Sequence, residues 1–175
     1  MAEALLFREA LVKEATVLGE LAFRSKAYWG YSAEFMNACR GELSVSTRAI
    51  EDPLMPVIAA VEQQDIAGFY VLENLSASQV ELGAMFVEPG RIGSGVGKAL
   101  LEQAKQHARQ LGAGKLVIQS DPHALGFYRA AGAIVVGEME SGSVPGRFLP
   151  LLEFQLDSFG SPNRIESHDD IAHET

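Results

Sequence analysis

Apolar positions along the chain switch between two periods. Residues 4–8 read as a short strand. From Leu11 to Lys26 the residues Leu11, Ala15, Leu18, Leu21 and Ala22 recur at helical spacing. A second helix follows over Ala33 to Arg40, with Ser32 placed to cap it. Residues 43–47 read as a short strand or an extended connection, and Glu51-Asp52-Pro53 with Pro56 marks a loop. Val57 to Val61 and Ile66 to Leu75 flank Gln63-Gln64-Asp65 and predict a hairpin, with Gly68 marking a bulge or a close approach. After a turn over Asn74 to Ser78, Val80 to Val87 is the next strand. Strict alternation there puts Glu81, Gly83, Met85 and Val87 on one face, and Leu82, Ala84 and Phe86 on the other.

The second half has its own rhythm. Leu100, Ala104, Ala108 and Leu111 form one stripe of a long helix that Gly112 closes. Lys115 to Gln119 is a β-branched strand. Asp121-Pro122 opens a helix carrying Ala124, Phe127, Tyr128 and Ala131, which stops at Gly132. Ala133 to Val136 and Arg147 to Leu156 read as strands around a flexible loop at 141–146. The order βαα, antiparallel meander, βα, βα, ββ predicts an α/β (α+β) fold. Its sheet is single, mixed and mostly antiparallel, with helices on both faces. Residues 1–157 make one domain, and residues 158–175 a polar, flexible C-terminal tail.

Composition narrows the classes of function. The 175 residues carry a net charge of −9, which argues against a nucleic-acid binder. Cys39 is alone, so no intrachain disulfide forms and a reducing, cytoplasmic setting is expected. No CxxC or His/Cys cluster points to a metal. No apolar run reaches the ~20 residues that span a bilayer, so no membrane partner is expected. The first residues lack the basic and apolar regions of a signal peptide.

One stretch stands out against this background. Pro89-Gly90-Arg91-Ile92-Gly93-Ser94-Gly95-Val96-Gly97-Lys98 joins an apolar strand to the long helix. Alternate glycines let backbone N–H groups turn toward a ligand, and a helix start adds more such groups and a positive dipole end. Arg91, Lys98, Lys105, Arg109, Lys115 and Arg129 outnumber Glu102 and Asp121 in this part of an acidic chain, which suits a polyanionic small ligand. From the residues alone, a phosphate cradle and a plain glycine turn stay equally open. A Walker A loop fails, because Ile92 stands at its first Gly and Ala99 follows Gly97-Lys98. A dinucleotide fingerprint fails at Lys98.

A third pattern fits. Val87-x-Pro89 and then Gly93-x-Gly95-x-Gly97 before an amphipathic helix resembles the acyl-CoA loop of the GNAT superfamily of N-acyltransferases, with Ile92 where Arg or Gln is common. Asp121-Pro122-His123-Ala124-Leu125-Gly126-Phe127-Tyr128 and Gly132 resemble that superfamily's second signature, with Asp121 in place of Asn and Ala133 in place of Phe. The resemblance spans about residues 3–156. It implies an N-acetyltransferase that takes acetyl-CoA as donor, without a metal, between two splayed strands, here 80–87 and 115–120. It places coenzyme A against Met85, Phe86, Val87, Arg91, Ile92, Gly93, Ser94, Gly95, Val96, Gly97, Lys98, Asp121, Ala124 and Phe127. It makes Tyr128 the acid at the thioester sulfur and Glu81 the base.

The acceptor is a small-molecule or peptide amine. Tyr28, Trp29 and Tyr31, around a glycine between two helices, serve equally as its pocket wall or as pins for the helices. Glu88 reads as structural, and His107 and His123 as surface helix residues. A homodimer stays open. The rival reading is a catalytically weak acyl-CoA sensor.

Overall fold

The computed structural model describes residues 4–73 and 76–156. Its strands form one seven-stranded sheet in the order β1-β2-β3-β4-β5-β7-β6. They are β1 (Leu6–Glu9), β2 (Val57–Glu62), β3 (Asp65–Glu73), β4 (Gln79–Val87), β5 (Lys115–Gln119), β6 (Ile134–Glu140) and β7 (Phe148–Gln155). All neighbours pair antiparallel except β4 and β5. The helices are α1 (Ala15–Ala27), α2 (Ala33–Leu43), α3 (Thr47–Glu51), α4 (Val96–Gln110) and α5 (Leu125–Ala130). Single 3-10 turns precede α1 and α5, and another lies at Pro89–Arg91.

Two apolar clusters hold the layers together. On one face, Leu100, Leu101, Ala104 and Ala108 of α4 pack on Tyr70, Leu72, Val80, Leu82, Leu116 and Leu152. On the other, Leu18, Leu21 and Ala22 of α1 and Met36, Cys39 and Leu43 of α2 pack on Val57, Phe69 and Val71. Each cluster is the buried stripe of a helix against alternate residues of the strands. Leu111, expected on the stripe of α4, is 42% exposed because the helix ends there.

Of the two readings of residues 43–47 the structure has the extended connection: Ser44 and Ser46 are extended, α3 starts at Thr47, and the Ser46 side chain accepts from the Ala49 N–H as its cap. Two local expectations change. The strand expected at Ala133 to Val136 runs on to Glu140. Strict alternation in β4 fails, because Val71 pairs Ala84 while Leu72 pairs Leu82, which leaves Gly83 as an extra residue. Beyond that bulge Met85 and Val87 pack toward α4 with Leu82, while Ala84 and Phe86 face α1 and α2. The predicted close approach at Gly68 is present: a Cβ there would lie 2.6 Å from the Phe86 carbonyl oxygen and 2.8 Å from Leu100 Cδ1. Residues 74–75 of the expected turn, and the tail at 158–175, lie outside the described residues.

Candidate active site

The parallel pair β4 and β5 is joined only at its start. Gln79, Val80 and Glu81 pair with Lys115, Leu116 and Val117, yet β4 runs on to Val87 and β5 to Gln119. Past Glu81 the two strands part. Alternate backbone groups of β4 still serve the β3 ladder, and those between them turn toward the gap. A cavity of about 420 Å³ lies at this gap, lined by residues of α1 and α2 as well as by the glycine loop and the start of α4.

At one end the cavity meets the glycine loop. Gly95 caps α4 in the left-handed region (φ 95°), and Gly93 is left-handed too (φ 83°); a side chain at either would be strained. The Gly95 carbonyl accepts from Ala99 N, so the N–H groups of Val96, Gly97 and Lys98 have no partner inside the helix. Ile92, Gly93, Gly95, Gly97 and Lys98 line the cavity here, together with Ala124 and Phe127. Met85, Phe86 and Val87 line it along β4. This donor set suits a diphosphate with an extended amide-bearing arm.

Three expected loop contacts do not reach the wall. Arg91 is drawn away by an ion pair with Glu62. The Ser94 hydroxyl donates to the Arg91 carbonyl. Val96 is 4% exposed and packs in the core under α4. Arg24 of α1 holds Glu88 at 2.7 Å, which fixes the loop's entry and bears out the structural reading of Glu88.

Tyr128 lies where the two ends meet. It is 6% exposed, it lines the cavity, and burial pushes its phenol well above its ordinary range, so it stays protonated. Among the described residues its hydroxyl makes no hydrogen bond, and no buried side-chain polar atom is shut away without a partner. Its hydroxyl therefore opens on the cavity. Glu81 lies on β4 directly across from Glu73, and neither is on the cavity wall itself.

The far end is built around Asp121. Its carboxylate accepts from the His123 N–H (2.9 Å), the Tyr31 hydroxyl (2.8 Å) and Lys26 Nζ (3.1 Å), with Arg147 3.7 Å away. Burial opposes its charge, but these donors outweigh burial and hold the carboxyl at about 2. The Tyr31 phenol is pushed up to about 12 by burial and by Asp121, and its oxygen accepts from Arg147 Nη2 at 2.9 Å. Asp121, expected against the cofactor, lines the cavity and ties the walls of its far end together.

Of the aromatic trio, Trp29 lines the cavity and stacks on His123 at 5.4 Å. Tyr31 supports the wall from behind, and Tyr28 is 54% exposed and off the wall. His123 is therefore an exposed residue that also lines the cavity. His107 is partly buried, with Nδ1 2.9 Å from the Tyr70 hydroxyl. Ser25, Lys26, Glu42, Gln119, Ser141 and Arg147 also line this far end, all but Gln119 coming from the first two helices and the 141–147 loop.

Comparison with known proteins agrees with this geometry. The sequence matches the Acetyltransferase (GNAT) family over residues 23–133. Peptidyl-lysine N-acetyltransferase YjaB of Salmonella typhimurium is 34% identical over 118 residues, which cover 66% of this chain and 74% of that one. PaiA N-acetyltransferase from Thermoplasma acidophilum, solved with coenzyme A, superposes with a TM-score of 0.69 at 18% identity, covering 87% of this chain and 99% of that one. YncA from Salmonella typhimurium, solved with acetyl-CoA, gives a TM-score of 0.65 at 20% identity, covering 93% and 99%.

Proposed function

The chain belongs to the GNAT family of acetyltransferases, and from that premise we propose that it transfers an acetyl group from acetyl-CoA to an amine. One observation carries this reading: a single cavity runs from the glycine loop, past Tyr128, to a charged pocket on the other face of the sheet. Donor and acceptor can thus approach one reacting carbon from opposite sides. The N–H groups of 96–98 and the Lys98 ammonium hold the diphosphate. The gap-facing backbone of Met85 to Val87 holds the pantetheine arm as an added strand and takes the carbonyl oxygen as its charge grows.

The proton inventory closes. The acceptor enters as an ammonium and gives one proton to a carboxylate. Its freed lone pair then forms the C–N bond as the C=O pair moves to oxygen. When that pair returns, the C–S bond breaks and the sulfur leaves with the bonding electrons. Tyr128 donates its proton to the sulfur and is restored by the second proton from nitrogen. The products are the amide, the free thiol and one proton released to solvent.

Glu42 on the cavity wall, and Glu73 lying against the wall residue Gly83, favour a positively charged amine. A lysine of a peptide fits this class and is the acceptor named for the Salmonella relative.

The test is calorimetric titration with coenzyme A beside a thiol-release assay with acetyl-CoA and an Nα-blocked lysine peptide. Wild type should bind and turn over. Gly95→Val places a side chain in the cradle and strains the left-handed position, so it should abolish binding. Lys98→Glu, at an exposed site, should weaken binding about tenfold with the fold unchanged. Unaltered affinity in both folded variants would reject the cradle.

A further inference from the structure

Glu73 ends β3, and the strand register sets it across from Glu81. The bulge in β4 makes Gly83 its next neighbour on that face. A Cβ at position 83 would lie 1.7 Å from Glu73 Oε1 and 2.2 Å from its carboxyl carbon. The carboxyl group occupies the space where any other residue's side chain would begin. Gly83 itself lines the cavity and precedes Ala84 and Met85 at the split between the strands.

This arrangement does nothing for stability. Two acids directly opposite on a sheet repel each other. Burial first, and the charge of Glu81 second, push the Glu73 carboxyl above its ordinary range. Among the described residues, the charged side chains lining this end of the cavity are Glu42, Lys26, Asp121 and Arg147, and Lys26 and Arg147 are both held by Asp121. Glu81 is the charge that the strand register sets against Glu73, and Glu153 of β7 is paired to Lys115 at 3.7 Å.

We propose that Glu73 receives the acceptor's ammonium and takes its proton, and that position 83 lacks a side chain so that the carboxylate lies against Gly83 at the cavity's edge, where an entering ammonium can meet it. The assignment rests on the acetyltransferase reading above. One N–H bond of the ammonium breaks, its electron pair stays on nitrogen, and the proton forms an O–H bond on Glu73. That proton then passes to solvent, and the carboxylate is ready for the next acceptor. Glu81 is a positioning residue: its charge adds to burial in raising the Glu73 carboxyl above its ordinary range, which makes that carboxylate a better proton acceptor.

The experiment measures kcat/KM from pH 5 to 10 with acetyl-CoA and the Nα-blocked lysine peptide. Four variants are compared: Glu73→Gln, Glu81→Gln, Gly83→Ala and the Glu73→Gln/Gly83→Ala double variant. Coenzyme A affinity is read on the same preparations. Glu73→Gln should lose roughly 10²- to 10⁴-fold at pH 7 and recover toward pH 10, where the amine is free without a base. Gly83→Ala, which displaces the carboxylate, should lose activity in the same way, and the double variant should be no worse than Glu73→Gln. Glu81→Gln should lose less and move the acid limb of the profile to lower pH. Coenzyme A affinity should not change in any of them.

A Glu73→Gln profile equal to wild type, or a full loss in Glu81→Gln alone, overturns the assignment. If wild type binds coenzyme A but does not acetylate the peptide, ¹³C NMR of the Glu73 carboxyl with added n-butylamine decides. Movement of that signal, lost in Gly83→Ala, supports the site, and an unmoved signal overturns it. Failure to bind coenzyme A at all defeats the broader reading instead, and the same carboxyl titration still tests Glu73.

Discussion

Tyr128 and Glu73 are both held against their own titration, in ways that suit opposite tasks. Burial keeps the Tyr128 phenol protonated with its oxygen open to the cavity, so it is a donor at any working pH. Tyr128→Phe removes only that oxygen. It should keep coenzyme A affinity and the fold while kcat falls about tenfold to a thousandfold. Measuring both on one preparation separates lost chemistry from lost binding.

Glu73 predicts an effect on stability as well. Its folded-state carboxyl is raised, so the folded chain binds that proton more tightly than the unfolded chain. Stability is therefore lost as pH rises from the unfolded value through the folded one. Ionisation of the folded group is a net cost, so Glu73→Gln should raise Tm at pH 7 relative to wild type while lowering activity. At pH 4 the gain should vanish, a pattern that thermal denaturation at the two pH values would reveal. Tyr128 was readable in the sequence because a motif carried it. Glu73 was not, because its meaning comes from a neighbour on another strand.

The elements themselves were legible wherever a period persisted. The stripe of α4, the hairpin β2–β3 and the caps at Ser32 and Asp121 all follow from local residue choice. A five-residue helix such as α3 has too few turns to show a period. The β4 bulge was hidden for a different reason: one extra residue inverts every later side chain, and only the partner strand reveals it.

Gly68 marks where this strand geometry is tightest. The Phe86 carbonyl and Leu100 Cδ1 leave no room for a Cβ, so β3, β4 and α4 share one contact there. Gly68→Ala should push β3 from β4 and α4 and cost about 1–3 kcal/mol, in the range of core overpacking. The denaturant midpoint should fall with the slope unchanged. Because β4 carries the split, coenzyme A affinity should fall with it. A Gly68→Ala protein of wild-type stability would show that the layers yield more easily than the geometry indicates.

Across the whole molecule, one carboxylate joins segments that lie far apart in the chain. Asp121, at the end of β5, draws in Lys26 from α1, Tyr31 from the α1–α2 connection and Arg147 from the start of β7. Arg147 completes the tie by lying over the Phe35 ring at 4.8 Å and donating to the Tyr31 hydroxyl. The acceptor walls are thus held by charge, whereas the cofactor side is held by backbone and glycine. This is why the donor was legible in local motifs and the acceptor end was not.

The tie predicts how the protein responds to acid. The folded-state carboxyl of Asp121 sits at about 2, below the ~3.9 of an unfolded aspartate, so its contribution is complete above about pH 4 and is lost as pH falls through 2. That contribution is about 2 kcal/mol. Asp121→Asn leaves Lys26 and Arg147 together without their counter-charge, so it should lower stability at pH 7 by roughly that amount. The two proteins should then converge between pH 4 and pH 2. Acceptor KM should rise in Asp121→Asn while coenzyme A affinity stays near wild type. Chemical denaturation at pH 7, 4 and 2.5 tests the first part, and calorimetry with coenzyme A tests the second. A gap between the proteins that stays constant down to pH 2.5 would mean that Asp121 is not the charge holding the acceptor walls.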